Sequence, residues 1–337
     1  MIYKDIWQSL ETSALQQSSG HIVRRVQPQA MCNLFLAIAQ PSGQRMLQVE
    51  LARASSIKVA NLPSARGLDA SITYPKDGRN GFTIQLALKE SRFADIFDAL
   101  IRDVIEVVGH APSEEAAVES LISRLQHWQK FLEQASPDGL SREAQQGLYG
   151  ELWFLRERLI PLSVPYPALL SWVGPEGAHQ DFQLQSCAIE VKTTGTKEPQ
   201  QMIIQSERQL DDAGLAALFL FHLSVDVRKG TGESLVTIIN SLRKRLEGDP
   251  SALGLYEDRL LEAGFLQSQS PQYEEAKYTI RHISLFRVRD AFPRIIEADL
   301  KPGVGSIRYS IAVAECRHFA VDENELKSQL TGSLYGK

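Results

Sequence analysis

Hydrophobic and polar residues alternate in short stretches along the first quarter of the chain. Alternation with a period of two is typical of half-buried strands, and clusters of Pro, Gly, Asn and Asp separate the stretches. Strands are therefore predicted over residues 21–26, 32–40, 46–52 and 81–88. Between residues 91 and 108 apolar side chains recur every three or four positions instead, which predicts an amphipathic helix. The pattern indicates a β-rich region closed by a helix.

Helices and strands alternate in the rest of the chain. Ser113 and the acidic pair that follows it predict the start of a helix over residues 113–134, and a third helix is predicted over 141–159. A further helix is predicted to open at Ser206, and residues 233–263 also have a helical pattern. Strands are predicted over residues 169–173, 179–184, 187–193, 201–205, 215–225, 274–288 and 305–319.

This order of elements predicts an α/β (α+β) fold with a central mixed sheet flanked by helices. We expect a β-rich N-terminal domain over residues 1–110, a core over 111–230 and an α+β C-terminal region over 231–337. Hydrophobic residues make up 43% and charged residues 23% of the chain, a composition that excludes disordered and low-complexity proteins.

Charge, cysteine content and hydropathy narrow the functional classes. The net charge of −5 gives no global attraction to nucleic acid, so such binding would need a local basic patch. The three cysteines lack metal-ligand spacing, which argues against a zinc site and a disulfide framework. The longest apolar run, residues 215–221, is far shorter than the roughly 18 residues that span a bilayer. We expect a cytoplasmic protein without membrane association.

One segment, residues 179–195, carries candidate chemistry. Alternation places Asp181 on the polar face of one strand, and Glu190 and Lys192 on the polar face of the next. A tight turn at residues 185–186 would set Asp181 opposite Glu190, although Gln-Ser is not a favoured pair for such a turn. Directly opposed like charges cost up to about 1 kcal/mol. A divalent cation between the two carboxylates would offset that cost.

These residue types suit a hard cation. Mg²⁺ is commonly bound by one or two carboxylates together with waters and phosphate oxygens. A lysine beside it can stabilise an attacking hydroxide or charge on a phosphate, which would suit phosphodiester hydrolysis. Glu151 adds a carboxylate at the edge of an apolar stripe on the third helix. From the residues alone the alternatives stay open: Glu190 and Lys192 can form a solvated strand face, and Glu151 an ordinary boundary charge.

Four strings together resemble the PD-(D/E)XK nuclease superfamily. They are GLYGELWFL at 147–155, SWVGPEGAHQDFQL at 171–184, AIEVKTTG at 188–195 and SERQL at 206–210. More narrowly, the chain resembles a bacterial PD-(D/E)XK motif protein family whose genes lie among phage-defence and restriction genes. The likeness is strongest over residues 141–225. It implies a restriction-endonuclease-like core.

The resemblance implies roles for individual residues. Asp181 matches the first acidic residue of the motif, Glu190 its (D/E), Lys192 its lysine and Glu151 the helix carboxylate of many members. These four residues would be catalytic, and the three carboxylates would hold Mg²⁺, with Mn²⁺ as a substitute. One position departs from the motif, since Gln180 stands where the proline is expected.

A phosphate contact is predicted just after the core strands. The helix expected at residue 206 would direct its N-terminus, with Ser206, Arg208 and Gln209, towards a phosphate, because helix N-termini favour anions. The alternative is that Ser206 is simply the N-cap of that helix.

The resemblance implies a Mg²⁺-dependent DNA endonuclease (a hydrolase) of a restriction or phage-defence system. The partners would be DNA and other defence proteins. The chain has no GxxxxGK[ST] phosphate loop, so any ATPase would be another chain, as would a methyltransferase. Cleavage of both strands needs two active sites, so we expect a homodimer or a partner enzyme. The alternative function is a non-catalytic, nuclease-fold adaptor or nucleic-acid-binding subunit of a defence complex, which the acidic net charge favours.

Overall fold

The chain folds into two compact units, Met1–Gly139 and Leu140–Lys337. This is a computed structural model, and it describes residues 2–16, 18–52, 62, 67–75, 80–134 and 138–335. The division into three regions with boundaries after residues 110 and 230 stays a prediction.

The described residues of the first unit form three α-helices and one sheet. Its elements are α1 (Ile2–Ala14), β1 (Gly20–Val26), β2 (Asn33–Gln40), β3 (Gln44–Leu51), β4 (Leu68–Thr73), β5 (Phe82–Leu88), α2 (Ala94–Gly109) and α3 (Glu114–Gln134). The sheet is antiparallel in the order β1-β2-β3-β5-β4. The four predicted strands and both predicted helices of this region are confirmed.

Two elements of this unit were not predicted. Strand β4 lies at the edge of the sheet and is mostly half-exposed, so its side chains do not alternate clearly between apolar and polar. Helix α1 buries Trp7, Leu10 and Ala14, whose spacing of three and four residues is helical. The charges between them hide that short stripe when the segment is examined only for a continuous apolar run.

Over residues 140–335 the second unit forms five α-helices and two sheets. Its elements are α4 (Arg142–Phe154), α5 (Pro165–Leu170), β6 (Phe182–Gln183), β7 (Cys187–Thr194), β8 (Gln201–Ile204), β9 (Ala217–Arg228), β10 (Glu233–Ser234), α6 (Leu235–Leu246), α7 (Pro250–Glu262), β11 (Lys277–Val288), β12 (Tyr309–Ala312) and α8 (Glu323–Tyr335). The larger sheet has the order β10-β11-β9-β7-β6, and β8 pairs with β12 in a separate sheet.

The larger sheet is mixed and buried on both faces. Strands β7 and β9 are parallel, whereas β6 and β11 are antiparallel to their neighbours. Ile189 and Phe219 pack on one face against apolar residues of α4, α6 and α7. Ala188 and Leu218 pack on the other face against residues of β8 and β12. The predicted mixed α/β class is confirmed; α-helices pack on one face, and β8, β12 and the 3₁₀ helix that begins at Val313 pack on the other.

Five predicted elements are wrong in type or extent. The strand predicted over 179–184 is only two residues long, Phe182–Gln183. Residues 169–173 form the end of α5 and a single bridge rather than a strand, and residues 233–263 form two helices because Asp249 caps a new one before Pro250. Only part of 305–319 is a strand, since a 3₁₀ helix begins at Val313. Residues 206–210 form a turn instead of a helix, because the Glu207 carboxylate accepts the N–H groups of residues 306 and 307.

Within the part of the chain that the structure describes, no helix combines the length and apolar character needed to cross a membrane.

Candidate functional site

The hairpin of β6 and β7 has the predicted register. Phe182 pairs with Ile189, and Leu184 N–H donates to Cys187 O across the two-residue turn. Continued by one residue, this register sets Asp181 opposite Glu190. The pair therefore lies just before the first residue of β6, where the neighbouring edge of β7 is no longer paired with it.

Asp181 caps that edge. Its Oδ2 accepts the N–H of Val191 at 2.7 Å, in place of the backbone acceptor that a longer β6 would supply. The carboxylate is thereby oriented by the strand that carries Glu190 and Lys192. Gln180 fixes the same segment from the other side, since its buried side-chain amide donates to Arg208 O at 2.9 Å.

Glu190 is buried, with only 1% of its surface exposed. Its Oε1 lies 2.6 Å from Lys192 Nζ in an ion pair. Neither carboxylate oxygen has a hydrogen-bond partner of good geometry among the described residues. The sequence left open a solvated strand face as an alternative, and for Glu190 this is wrong because its side chain is buried. A buried carboxylate is costly unless donors or a cation lie beside it.

Lys192 is held between two oxygens. Besides the ion pair with Glu190, its Nζ donates to Gln209 Oε1 at 3.2 Å. The same Gln209 oxygen accepts the N–H of Gln205 at 2.7 Å, which fixes the orientation of the amide. The ammonium group therefore has a defined position beside the carboxylates.

Glu151 comes from α4. Leu148, Leu152, Leu155 and Leu159 are all buried, which confirms the apolar stripe that places Glu151 at its edge. Glu151 Oε2 accepts the indole N–H of Trp172 at 2.8 Å. The carboxylate thus points to the site and is not the ordinary boundary charge left open as an alternative.

The pKa of each of the three carboxylates is raised, and burial is the largest cause in every case. Burial, followed by repulsion from Asp181, raises the pKa of Glu190 to about 8 although Lys192 opposes the change. Burial also raises the pKa of Asp181, and burial together with the Asp181 charge raises the pKa of Glu151 well above its usual range. Burial alone would lower the pKa of Lys192, but the carboxylates outweigh it and the pKa rises.

A cleft of about 870 Å³ opens onto these four residues. Gln209 also lines it, whereas Ser206 and Arg208 do not. Arg208 lies instead 3.4 Å from Glu297 in an exposed ion pair. Because no helix begins at residue 206, the predicted N-cap role of Ser206 and the predicted helix N-terminus facing a phosphate are wrong. Of the three residues predicted to contact phosphate, only Gln209 faces the cleft.

The donor set fits a hard divalent cation. When all four groups are ionised, the three carboxylates exceed the one ammonium by two negative charges, and within the described part of the chain no well-aligned donor satisfies the Glu190 oxygens. Mg²⁺ is bound by one or two carboxylates with waters completing its shell. In the described ranges, no three His, Cys, Asp or Glu side chains are arranged to hold a metal together. The three-carboxylate metal set stays a prediction.

Two residues beside the carboxylates had no predicted role. Trp172 binds Glu151, and Gly174 lies against both Asp181 and Glu151. Both are in the string SWVG, whose only signal in the sequence is its likeness to the family, because the contacts are made between residues distant along the chain.

A model of a protein family described as “Putative PD-(D/E)XK family member, (DUF4420)” matches residues 3–314. This confirms the resemblance read from the sequence and extends it to nearly the whole chain. No curated protein and no solved structure matches the chain.

Proposed function

The chain belongs to the DUF4420 family, and from this premise we propose that it is a divalent-metal-dependent DNA endonuclease acting in restriction or phage defence. The observation that carries the proposal is Glu190, a buried carboxylate that lies beside Lys192 and opposite Asp181 and whose oxygens have no hydrogen-bond partner of good geometry among the described residues. Burial and the facing Asp181 raise the pKa of Glu190 despite Lys192, so ionising it has a cost that an adaptor without catalysis has no need to bear.

Asp181 and Glu190 would hold Mg²⁺ or Mn²⁺, and Glu151 would assist directly or through a water. The bound ion would supply Lewis-acid stabilisation of charge on the scissile phosphate and would activate water. Val191 N–H and Trp172 N–H restrain the carboxylates, so little reorganisation is needed when the cation binds.

Lys192 would position the attacking water and stabilise the charge that develops on the phosphate. Its neighbours suit that role, because Glu190 and Gln209 hold the ammonium in place. The raised pKa keeps Lys192 protonated at neutral pH, so it acts as a cation and donor rather than as a general base.

DNA is proposed as the substrate from the family resemblance, and the cleft offers local support. Arg142, Arg228 and Lys229 line it together with the four site residues. Arg228 and Lys229 are exposed and form ion pairs with Asp226 and Glu275, so DNA phosphates would have to displace these surface carboxylates to bind them. Homodimerisation, cooperation with an ATPase or a methyltransferase, and a cytoplasmic location are parts of the same proposal.

Incubation of supercoiled plasmid with the purified protein in Mg²⁺, Mn²⁺ or EDTA tests the proposal. We expect nicked or linear DNA in the two metal samples and intact DNA in EDTA. A parallel sample with a single-stranded oligonucleotide separates duplex from single-strand preference. Intact DNA in every metal sample, with phage protection that survives Glu190→Ala, would contradict a nuclease.

The adaptor alternative makes a different prediction for DNA binding. Phosphate contact gives an affinity that falls steeply as salt rises. A metal-dependent nuclease should therefore bind DNA at low salt in Ca²⁺ or in EDTA with a strong salt dependence. Absence of binding at low salt would favour an adaptor that engages only proteins.

A further inference from the structure

The segment Trp172–Gly174 lies against two of the site carboxylates. The Trp172 side chain is fully buried, and its indole N–H donates to Glu151 Oε2 at 2.8 Å. An indole has one hydrogen-bond donor and no acceptor, and here its single N–H is donated to the Glu151 carboxylate. This contact sets the direction in which Glu151 presents its carboxylate.

Core packing holds the indole in place. Trp172 forms an isolated bridge with Phe182, and its ring lies 6.3 Å from that of Tyr256 on α7. The preceding residue, Ser171, accepts the N–H of Gln183 at 2.8 Å. The indole is therefore locked to β6 and α7, and it cannot turn away from Glu151 without disturbing both.

Gly174 provides space for the same carboxylates. Its N–H donates to Asp181 O at 3.0 Å, so its backbone runs beside Asp181. A Cβ at Gly174 would lie 2.9 Å from Asp181 Oδ1 and 3.3 Å from Glu151 Oε2. A methyl group there would displace one carboxylate or both, because Asp181 is already tied to Val191.

The turn that follows is anchored to a helix. Glu176 forms an ion pair with Arg259 of α7, which also lies 2.9 Å from Glu262. Arg259 and Glu262 are both buried. The segment is thus fixed at both ends, which suits a rigid support rather than a mobile loop.

We propose that Trp172 and Gly174 are positioning residues that set the affinity of the site for a divalent cation, Trp172 by orienting Glu151 and Gly174 by leaving room for Asp181 and Glu151 to approach. The inference rests on the proposed metal-dependent function. Groups that orient metal ligands typically change metal affinity 10–100-fold when they are removed.

The test is Mn²⁺ binding to the full chain, measured by calorimetry and by the loss of the free Mn²⁺ signal in electron paramagnetic resonance. Trp172→Phe should weaken binding about 10–100-fold, because Glu151 loses its donor. Trp153→Phe is the matched control, since Trp153 is buried in the same core and stacks on Phe221. It should leave the affinity unchanged.

Gly174→Ala provides a second variant that keeps the indole. It should weaken Mn²⁺ binding to a similar degree, because the new methyl group separates the carboxylates. Gly254→Ala is its control, because a Cβ at Gly254 on α7 meets no atom within 4 Å. Circular dichroism and urea unfolding of each variant identify those that do not fold, and conclusions are drawn from the folded ones.

A double-mutant cycle separates positioning from general damage. If Trp172 acts through Glu151, then Trp172→Phe should weaken Mn²⁺ binding in the wild type and change nothing further in a Glu151→Gln background. Additive losses would overturn the proposed route. Wild-type binding with unchanged affinity in both Trp172→Phe and Gly174→Ala would overturn the positioning roles alone, whereas a wild type that binds no Mn²⁺ would overturn the metal site and this inference together.

Discussion

Glu190 is the least exposed of the four site residues. It is buried on the central sheet, opposite Asp181 and in contact with Lys192. Its raised pKa means that the folded, metal-free protein binds a proton there that the unfolded chain releases at lower pH. The stability of the metal-free protein should therefore depend on pH in a way that identifies this residue.

The free energy of unfolding of the metal-free protein should fall as pH rises, because Glu190 must then ionise. The pKa of Glu190 rises from 4.5 to about 8, so the cost of ionising it is absent below pH 4.5 and complete above pH 8. The shift corresponds to up to about 5 kcal/mol of unfolding free energy lost as pH rises. Urea unfolding in EDTA at pH 5, 7 and 8.5 should show a smaller loss in Glu190→Gln. Equal pH slopes in the two proteins would contradict the buried charge.

His222 should give the opposite pH dependence, with a free energy of unfolding that falls as pH drops. It is buried on β9, its Nε2 lies 2.8 Å from Thr194 Oγ1, and burial lowers its pKa to about 4. Its contribution is complete above pH 6.5 and falls as pH drops to 4, by about 3 kcal/mol. Wild type should lose more stability than His222→Gln between pH 7 and 4. A variant with the same acid sensitivity would show that another group controls it.

The sequence identifies some site residues and not others for a physical reason. Asp181, Glu190 and Lys192 belong to one hairpin, so strand alternation and a short turn already define their relation, and the register is confirmed by Phe182 and Ile189. Trp172 and Gly174 act across distances set by tertiary packing. Nothing local marks them, because an indole donor and a missing Cβ become meaningful only beside their partners.

Helix α4 and strand β7 approach each other closely, and this contact positions Glu151 over the hairpin. Gly150 lies at the crossing, where an added Cβ would overlap Thr193 Oγ1 and lie 3.5 Å from Val191 Cγ1. Gly147, one turn earlier on the same helix, has no atom within 4 Å of the equivalent point. Both glycines lie within α4, but only Gly150 is needed for close packing against β7.

Alanine substitutions at these two positions should have opposite effects. Gly147→Ala should stabilise the protein by up to about 1 kcal/mol, because glycine weakens a helix interior. Gly150→Ala should destabilise it by about 1–3 kcal/mol, since the helix must move away from β7. Urea unfolding of both variants measures the difference. A stabilising Gly150→Ala would mean that α4 does not contact β7 closely.

Elements with a strong internal pattern were predicted well, and those that depend on partners were not. Helices α2, α3 and α4 and strands β7 and β11 follow from periodicity and caps. The helix expected at residue 206 is absent, because Glu207 bonds residues 306 and 307, about 100 positions away. The string SERQL at 206–210 is typical of a helix start, but a long-range contact holds it in a turn instead.

At the scale of the whole molecule, the site and the cores around it belong to the second unit. The two hydrophobic clusters that cover the faces of the larger sheet contain only residues between 148 and 330. All residues lining the cleft also come from this unit. A unit of roughly 200 residues is large enough to bury a core of its own.

A fragment of residues 140–337 should therefore fold on its own. We expect cooperative urea unfolding and a Mn²⁺ affinity within a few fold of that of the full chain. Circular dichroism and calorimetry check the two expectations. A fragment that aggregates or does not bind Mn²⁺, when the full chain binds it, would show that residues 1–139 are needed to complete the fold.

Glu190 and Lys192 are proposed to be essential for metal-dependent cleavage of DNA. The most direct measurement compares plasmid cleavage in Mg²⁺ by wild type, Glu190→Gln and Lys192→Met, with exposed Glu247→Gln and Lys327→Met as matched controls. We expect the two site variants to cleave about 10²–10³-fold more slowly than wild type and the two controls to cleave at the wild-type rate. Cleavage at the wild-type rate by either site variant would contradict the proposed role of that residue.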